Sequence, residues 1–258
     1  MFTQALVKPP CRNMIHGLTT AGLGKPDYAR ALDQHAAYTQ ALRDCGLEVT
    51  VLPADEAHPD STFIEDTALL VPGCAVITRP GAPSRRGETA AVEAALAAFF
   101  DDIARITAPG TVDAGDIMAV GSHYFIGLSQ RTNREGAAQM TAILEKHGLS
   151  ASTVSLHGFL HLKSGVAYLE NDTLVAAGEF IDHPAFRRFR ILTVDDDERY
   201  AANCLWVNGR VLVAEGFPAT RRRIERAGFE TIALDVSEFR KVDGGLSCLS
   251  LRFQPPGA

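Results

Sequence analysis

A cysteine near the end of the chain is the first residue whose setting suggests chemistry. Cys248 lies between two serines in KVDGGLSCLSLRF, residues 241–253, shortly after a Gly-Gly pair. Taken alone, a cysteine in such a run is more often a small buried strand residue than a reactive one. It becomes a nucleophile only where it is accessible and can form thiolate. The choice therefore depends on what the fold places beside it.

Carboxylates and histidines recur in the segments that precede predicted hairpins. These segments carry Asp60, Glu65, Asp66, Asp113, Asp116, His157, His161 and, last, Cys248. A thiolate can attack a resonance-stabilised cation, and a histidine can protonate a leaving amine and then activate water. One carboxylate can orient the imidazole, and others can bind a cationic guanidinium through paired hydrogen bonds. If the segments converge, they predict covalent catalysis on such a cation.

Most of these residues also have a structural interpretation. His161 is one of eight histidines, VDAGD is typical of a turn before a hairpin, and FIED of a solvated strand end. The other four cysteines, Cys11, Cys45, Cys74 and Cys204, lie in segments without such neighbours and are interpreted as structural. The loop AGLGKPD has too few glycines for a dinucleotide fingerprint and is interpreted as a mobile lid.

The elements that must position these residues form a loose repeat. Hairpin turns are predicted at Pro72-Gly73, Gly121-Ser122, Asn171-Asp172 and Asn208-Gly209, the last being the strongest signal. A helical pattern and then a strand-like run follow each hairpin, with glycine ending several of the helices. The N-terminal segment supplies a helix and a strand, and its hairpin is complete if FTQALV pairs with LSCLSLRF.

Five hairpin–helix–strand units joined at the termini predict a five-bladed α/β propeller, with residues 1–258 as one domain. Equivalent loops would converge on the axis, and closure would remove exposed strand edges. An irregular α+β sandwich is the alternative fold, because each short helix or strand is ambiguous by itself.

Composition narrows the classes of partner. The chain has 258 residues, a net charge of −6 and no strongly basic footprint, so no nucleic-acid partner is expected. Neither a membrane span nor a secretory signal is expected from its apolar runs. The five cysteines are scattered and never form C-x-x-C, which argues against disulfides and a structural zinc site and favours a cytoplasmic setting.

Seven motifs, in order and with matching spacing, resemble one family over nearly the whole chain. They are FIEDTA, SRRGET, GTVDAGDIM, GLSQRTNREG, HLKSGVAYLE, YAANCLWVN and KVDGGLSCLSLRF. The chain resembles the bacterial type of dimethylarginine dimethylaminohydrolase. That family belongs to the guanidine-modifying superfamily with the five-bladed, pentein-type α/β propeller. The resemblance implies the same fold as the repeat does.

The resemblance also implies catalytic roles. Cys248 would attack the guanidinium carbon of Nω-methylated arginine, such as asymmetric dimethylarginine or monomethylarginine. His161 would protonate the departing dimethylamine or methylamine, leaving a covalent thiouronium, and would then activate water to release L-citrulline. Asp113 would support the histidine, at a position where some bacterial relatives have glutamate.

Substrate contacts follow from the same resemblance. Asp66 would pair with the guanidinium, and Asp60 and Glu65 would add polar contacts. Arg85, or its neighbour Arg86, and Arg131 would bind the α-carboxylate. The backbone at Leu18 and at Val242 would also contact the substrate, with the loop after Leu18 as a lid. No metal or organic cofactor is implied, although adventitious zinc could inhibit at the Cys–His–carboxylate pocket. The expected partner is a small molecule, and a homodimer is compatible.

Three alternatives stay open. An arginine deiminase or an amidinotransferase would share the chemistry, although the short chain and HLKSG in place of an HLD-type motif favour methylarginine. A catalytically silent propeller that binds amino acids is the alternative from another class.

Because several acids would surround Cys248, we expect it to be a thiol in the free protein at neutral pH.

Overall fold

Fifteen strands form five three-stranded sheets in the computed structural model, which describes residues 1–257. Only Ala258 of the predicted domain lies outside the described residues. The strands are β1 Gln4–Val7, β2 Glu48–Val51, β3 Ala68–Val71, β4 Cys74–Ile77, β5 Ile103–Arg105, β6 Ile117–Val120, β7 His123–Leu128, β8 Ser150–Ser155, β9 Val166–Tyr168, β10 Thr173–Ala177, β11 Arg190–Val194, β12 Leu205–Val207, β13 Arg210–Ala214, β14 Glu230–Leu234 and β15 Ser250–Phe253.

Every sheet has the same topology. An antiparallel hairpin is followed by a third strand that pairs in parallel with the second, giving the orders β3-β4-β5, β6-β7-β8, β9-β10-β11 and β12-β13-β14. In the fifth sheet β15 pairs antiparallel with β1, from Gln4↔Phe253 to Val7↔Ser250, and β1 pairs in parallel with β2. These five sheets confirm the predicted α/β propeller and exclude the sandwich.

The hairpin turns fall where the sequence predicts them, because their residues tolerate positive φ. Asn208 and Gly209 have φ values of 49° and 95°, and Asn171 and Asp172 both have 50°.

Six α-helices lie within residues 1–257. They are α1 Tyr28–Asp44, α2 Thr89–Leu96, α3 Arg134–Lys146, α4 Leu162–Gly165, α5 Pro218–Arg226 and α6 Ser237–Arg240. The 3₁₀ helices are Arg12–His16, Ile64–Thr67, Pro83–Glu88, Ala114–Asp116, Gly178–Phe180, Pro184–Phe186, Asp196–Ala202 and Leu246–Leu249. The helical pattern expected after the hairpin turn at Asn171-Asp172 falls on HPAFRRF and is a 3₁₀ turn that begins at Pro184. No helix in the described part of the chain has the length and apolarity needed to cross a bilayer.

The core consists of five hydrophobic clusters, one at each seam between neighbouring sheets. Alternate residues of a central strand pack into two different seams. In β1, Leu6 faces the sheet of β3–β5, while Ala5 and Val7 face the sheet of β12–β14. Both faces of each central strand are therefore buried, which explains their continuous apolar sequences.

Candidate active site

A short helical turn comes before the first hairpin strand of every sheet, and these five turns place the polar residues. Four lead directly into β3, β6, β9 and β15, and the fifth, Asp196–Ala202, ends shortly before β12. Asp66, Asp116 and Cys248 lie within such turns, and His161 and Asp113 directly precede them. The first strands of the five sheets are equivalent in the propeller. The turns that precede them therefore occupy equivalent positions, and this brings their polar residues together.

Most of the predicted residues line one cavity of about 190 Å³. Those at its wall are Leu18, Asp60, Asp66, Arg85, Arg131, His161, Val242 and Cys248. Six further residues line the cavity that were not predicted from the sequence, namely Thr19, Thr20, Phe63, Leu160, Asp243 and Gly244. Asp113 lies behind His161 instead of at the wall, and Glu65 faces elsewhere.

Cys248 sits in the turn Leu246–Leu249, 9% exposed, with its backbone N–H donating to the Gly245 carbonyl. Burial and, to a lesser extent, the nearby Asp66 and Glu65 carboxylates together raise the pKa of the thiol to about 12. The direction agrees with the expectation that Cys248 is a thiol when no substrate is bound.

His161 is held by Asp113. The imidazole Nε2 lies 3.0 Å from Asp113 Oδ2, and the other carboxylate oxygen of Asp113 accepts from the Gly81 N–H at 2.8 Å. Burial lowers the pKa of His161, but Asp66, the hydrogen bond to Asp113 and Asp116 outweigh it and raise it to about 9. The imidazole is therefore protonated at neutral pH and can act as an acid.

Asp66 is ionised in the site. Burial raises its pKa, but His161 and Arg85 outweigh it, with the Gly115 N–H as a further donor, and lower it to about 2. Gly115 is required here, because a Cβ at this position would lie 2.6 Å from Asp66 Oδ1 and 3.0 Å from His161 Nδ1. The neighbouring Asp116 differs, since burial raises its pKa to about 6.

The arginines divide into three environments. Arg85 is buried and binds Asp66 at 2.6 Å and Glu88 at 2.8 Å, so much of its guanidinium is already paired. Arg86 donates to the Pro80 carbonyl, and Arg85 is the one of the two at the cavity wall. The guanidinium of Arg131 has no hydrogen-bonding partner within residues 1–257.

The loop predicted as a lid is fastened over the cavity at several points. The Leu18 N–H donates to Asp60 Oδ1 at 3.0 Å, and the Thr20 N–H donates to Asp243 Oδ2 at 2.6 Å. Asp243 has a φ of 57°, an unusual backbone for a non-glycine residue, just before the Gly-Gly pair. That VDGG turn is the signal by which Asp243 could have been found from sequence.

Glu65 lies on the other side of its turn from Asp66. Its Oε1 is 2.8 Å from both Lys163 Nζ and Arg252 Nη2, and its Oε2 is buried without a partner in the described residues. These three side chains line a second cavity of about 200 Å³, farther along the first hairpin strands. The structure thus does not bring the Glu65 carboxylate to the wall of the first cavity.

A second cysteine–histidine–aspartate group lies away from the axis. Ligand atoms of Cys74, Asp102 and His147 are all within 4.8 Å of one another. Cys74 is completely buried in a hydrophobic cluster, whereas Cys248 shares a cavity with two arginines and three acids. An amino-acid substrate needs such charged partners, so the axial group is the candidate for catalysis.

This five-fold propeller, with a cysteine, a histidine and acids gathered at its axis, defines the class of guanidine-modifying enzymes. The family profile described as "N,N dimethylarginine dimethylhydrolase, eukaryotic" matches residues 25–200. The curated N(G),N(G)-dimethylarginine dimethylaminohydrolase of Pseudomonas aeruginosa is 56% identical, over 98% of this chain and 100% of the relative. The chain belongs to the dimethylarginine dimethylaminohydrolase family.

Solved structures agree with this assignment. A cysteine-to-serine variant of the Pseudomonas aeruginosa enzyme, complexed with citrulline, superposes with a TM-score of 0.97 at 55% identity and covers 98% of this chain and 100% of its own. The N-terminal domain of ArgZ, an arginine dihydrolase from cyanobacteria, has a TM-score of 0.90 at 19% identity, covering 99% of both chains. The second similarity shows the fold alone.

Proposed function

We propose that this protein hydrolyses Nω-methylated L-arginine to L-citrulline and dimethylamine or methylamine. The observation that carries the proposal is one cavity at whose wall Cys248 and His161 lie beside Asp66, with an uncommitted guanidinium at Arg131. The family membership and the citrulline bound by the related enzyme support the same substrate class. The roles of individual residues below are part of the proposal.

The first half-reaction uses the two ionisations described above. A bound guanidinium adds positive charge next to Cys248, which lowers the thiol pKa and promotes loss of its proton to solvent. The thiolate then attacks the guanidinium carbon, and a C–S bond forms. The imidazolium of His161 gives its proton to the methylated nitrogen, the C–N bond breaks, and the amine leaves. A covalent thiouronium on Cys248 remains.

The second half-reaction returns both residues to their starting state. His161, now neutral, takes a proton from a water molecule, which attacks the thiouronium carbon. The C–S bond breaks, the leaving thiolate takes up the hydroxyl proton of the tetrahedral intermediate and is again a thiol, and L-citrulline is released. Asp113 holds the imidazole through Nε2 and thereby directs Nδ1 towards the reacting atoms, since a ring nitrogen that is bonded fixes the role of the other.

Recognition follows from charge. Asp66, held ionised by Arg85, attracts the substrate guanidinium, and Asp60 adds a second acid at the same wall. Arg131 binds the α-carboxylate, because it is the arginine of the wall whose guanidinium is not already paired. Arg85 contributes positive charge while it positions Asp66 and Glu88. Backbone groups at Leu18 and Val242 contact the substrate, and the loop after Leu18 excludes water when it closes.

A cytoplasmic location is also part of the proposal. All five cysteines are free and buried, which fits the cytoplasmic location expected from composition. A homodimer stays a prediction.

The decisive experiment measures citrulline and amine release from asymmetric dimethylarginine, monomethylarginine and arginine. We expect dimethylamine or methylamine in equal amount to citrulline, and Cys248→Ser to bind substrate without turnover. Release of ammonia from arginine as the main activity would favour a deiminase instead. Substrate binding without turnover in the unaltered protein would favour the catalytically silent propeller.

A further inference from the structure

The side-chain group of Cys74, Asp102 and His147 lies outside the catalytic machinery, and its chemistry differs from that of a buried ion pair. It offers a thiol, a carboxylate and an imidazole, the three ligand types that zinc uses in proteins. Among residues 1–257, the other group with this many convergent ligands is the axial one of Asp66, Asp113 and His161. The outer group is the one that contains a sulfur ligand.

Two of the three ligands are fixed by the register of one sheet. β4 and β5 pair in parallel with Ala75 opposite Ile103, so Cys74 and Asp102 are opposite each other one residue earlier. The Ala75 N–H donates to the Asp102 carbonyl at 3.0 Å, which fixes this end of the ladder. The two side chains therefore project from adjacent strands towards the same face.

The third ligand is fixed by the end of a helix from the neighbouring sheet. His147 caps α3, where the Gly148 N–H bonds to the Glu145 carbonyl and the Leu149 N–H to the Leu144 carbonyl. Gly148 has a φ of 72°, as expected where glycine terminates a helix. His147 Nε2 lies 3.5 Å from Asp102 Oδ2, close to the separation of two ligands on one tetrahedral zinc ion.

The size and exposure of the group also suit an ion. With all three ligand atoms within 4.8 Å of one another, a central point lies at most about 2.8 Å from each, so small side-chain movements reach the usual ~2.0–2.3 Å bond lengths. The Cys74 side chain is buried against apolar neighbours, while the Asp102 side chain is 62% exposed. A fourth position thus opens to solvent, where water completes the coordination.

We propose that Cys74, Asp102 and His147 form a zinc site at the seam between the sheet of β3–β5 and the sheet of β6–β8. The ion binds with release of the Cys74 thiol proton and links the sheet of β3–β5 to α3. Zinc is the expected ion because a thiolate and an imidazole both favour it over the hard cations magnesium and calcium. The site is separate from the proposed catalysis and does not depend on it.

The test uses cobalt as a spectroscopic probe in Cys248→Ser, which removes the thiol of the axial cavity. Titration with Co²⁺ should give about one equivalent per chain, with a thiolate charge-transfer band and visible bands of tetrahedral intensity. Adding Cys74→Ser should abolish the charge-transfer band. His147→Gln and Asp102→Asn should each weaken Co²⁺ binding at least ~10-fold. The bound cobalt should still show a charge-transfer band, because the Cys74 thiolate is still present.

Cys45→Ser is the matched control, because Cys45 is also a buried thiol but belongs to no group of convergent ligands within the described residues. It should leave the cobalt spectrum unchanged. Zinc should raise the melting temperature of Cys248→Ser but not of the variant that also lacks Cys74. A spectrum without a thiolate band, or one that survives Cys74→Ser, would overturn the proposal. If Cys74→Ser does not fold, an undiminished affinity in His147→Gln would overturn it equally.

Discussion

Among single residues, the candidate nucleophile and the candidate acid are both protonated in the free protein. The pKa of Cys248 is raised by burial and by Asp66 and Glu65, and that of His161 is raised by Asp66, Asp113 and Asp116. In the free protein the pair is a thiol and an imidazolium at neutral pH. The cationic substrate is what makes the thiolate favourable, so the acids that bind the substrate also keep the unliganded cysteine unreactive.

The thiolate absorbance of Cys248 can be measured as the difference between the wild type and Cys248→Ser. We predict that this absorbance is absent at neutral pH and develops only at strongly alkaline pH. An inert guanidinium ligand should shift this titration to lower pH, because it offsets Asp66 and the burial of the thiol. Asp66→Asn should also lower the pKa of Cys248, by removal of a negative neighbour. An ordinary or depressed thiol pKa in the free wild type would contradict this account of the site.

At the scale of elements, the turn that carries Cys248 is held by a residue of another sheet. Asn203 Oδ1 accepts from the Ser247 N–H at 3.0 Å, and its Nδ2 donates to Ser247 Oγ at 3.2 Å. Asn203 also packs so closely against Gly245 that a Cβ there would lie 2.6 Å from its side chain. The geometry of the nucleophile therefore depends on Asn203 as a positioning residue.

Asn203→Ala should lower kcat substantially, with a smaller change in KM, and reduce the free energy of unfolding by about 1–3 kcal/mol, because a buried N–H loses its acceptor. Asn208→Ala is the control, since Asn208 also bridges backbone groups of distant segments, Phe2 and Cys45, but away from the cavity. It should lower stability and leave kcat nearly unchanged. Equal kinetic effects in the two variants would mean that Asn203 acts on stability alone. Steady-state kinetics and denaturant unfolding measure both quantities.

At the scale of the whole molecule, the ring is stabilised by seams that each draw on two neighbouring sheets. The seam closed by β1 and β15 includes α1, which packs over residues from both ends of the chain. Within α1, His35 is buried, and its Nε2 has no partner in the described residues. Burial lowers the pKa of His35 to about 4, so the folded protein holds it neutral.

This predicts a loss of stability in acid. The pKa of His35 is lower in the folded protein than in the unfolded chain, so the unfolded chain binds a proton first as pH falls. The free energy of unfolding therefore has its full value above the unfolded pKa and decreases as pH falls towards 4. Over that interval the free energy of unfolding of the wild type should decrease by about 3 kcal/mol relative to that of His35→Leu. Chemical denaturation at several pH values measures it. Parallel pH profiles for the two proteins would show that His35 does not titrate in this way.

Much of the site could be predicted because its residues occupy one repeated position. Asp66, Asp113, His161 and Cys248 all precede the first strand of a hairpin, and hairpin turns are readable from local backbone preferences. The lid threonines and Asp243 were missed because they meet across more than 200 residues of sequence. The sequence could not show which of Arg85 and Arg86 lies at the cavity wall, because the two are adjacent in one 3₁₀ turn and differ only in their hydrogen-bonding partners in the folded structure.

The repeat, the closure of the termini and the family could all be predicted before folding was considered, because alternation, turn residues and motif order are local or linear properties. Which groups share a cavity, and which of them are protonated, depends on the folded structure. Burial and charge sum over all neighbours in space, so Glu65 and Asp66, adjacent in the chain, face different cavities. For the same reason Cys74, with no ligand spacing in the sequence, meets Asp102 and His147 only after folding.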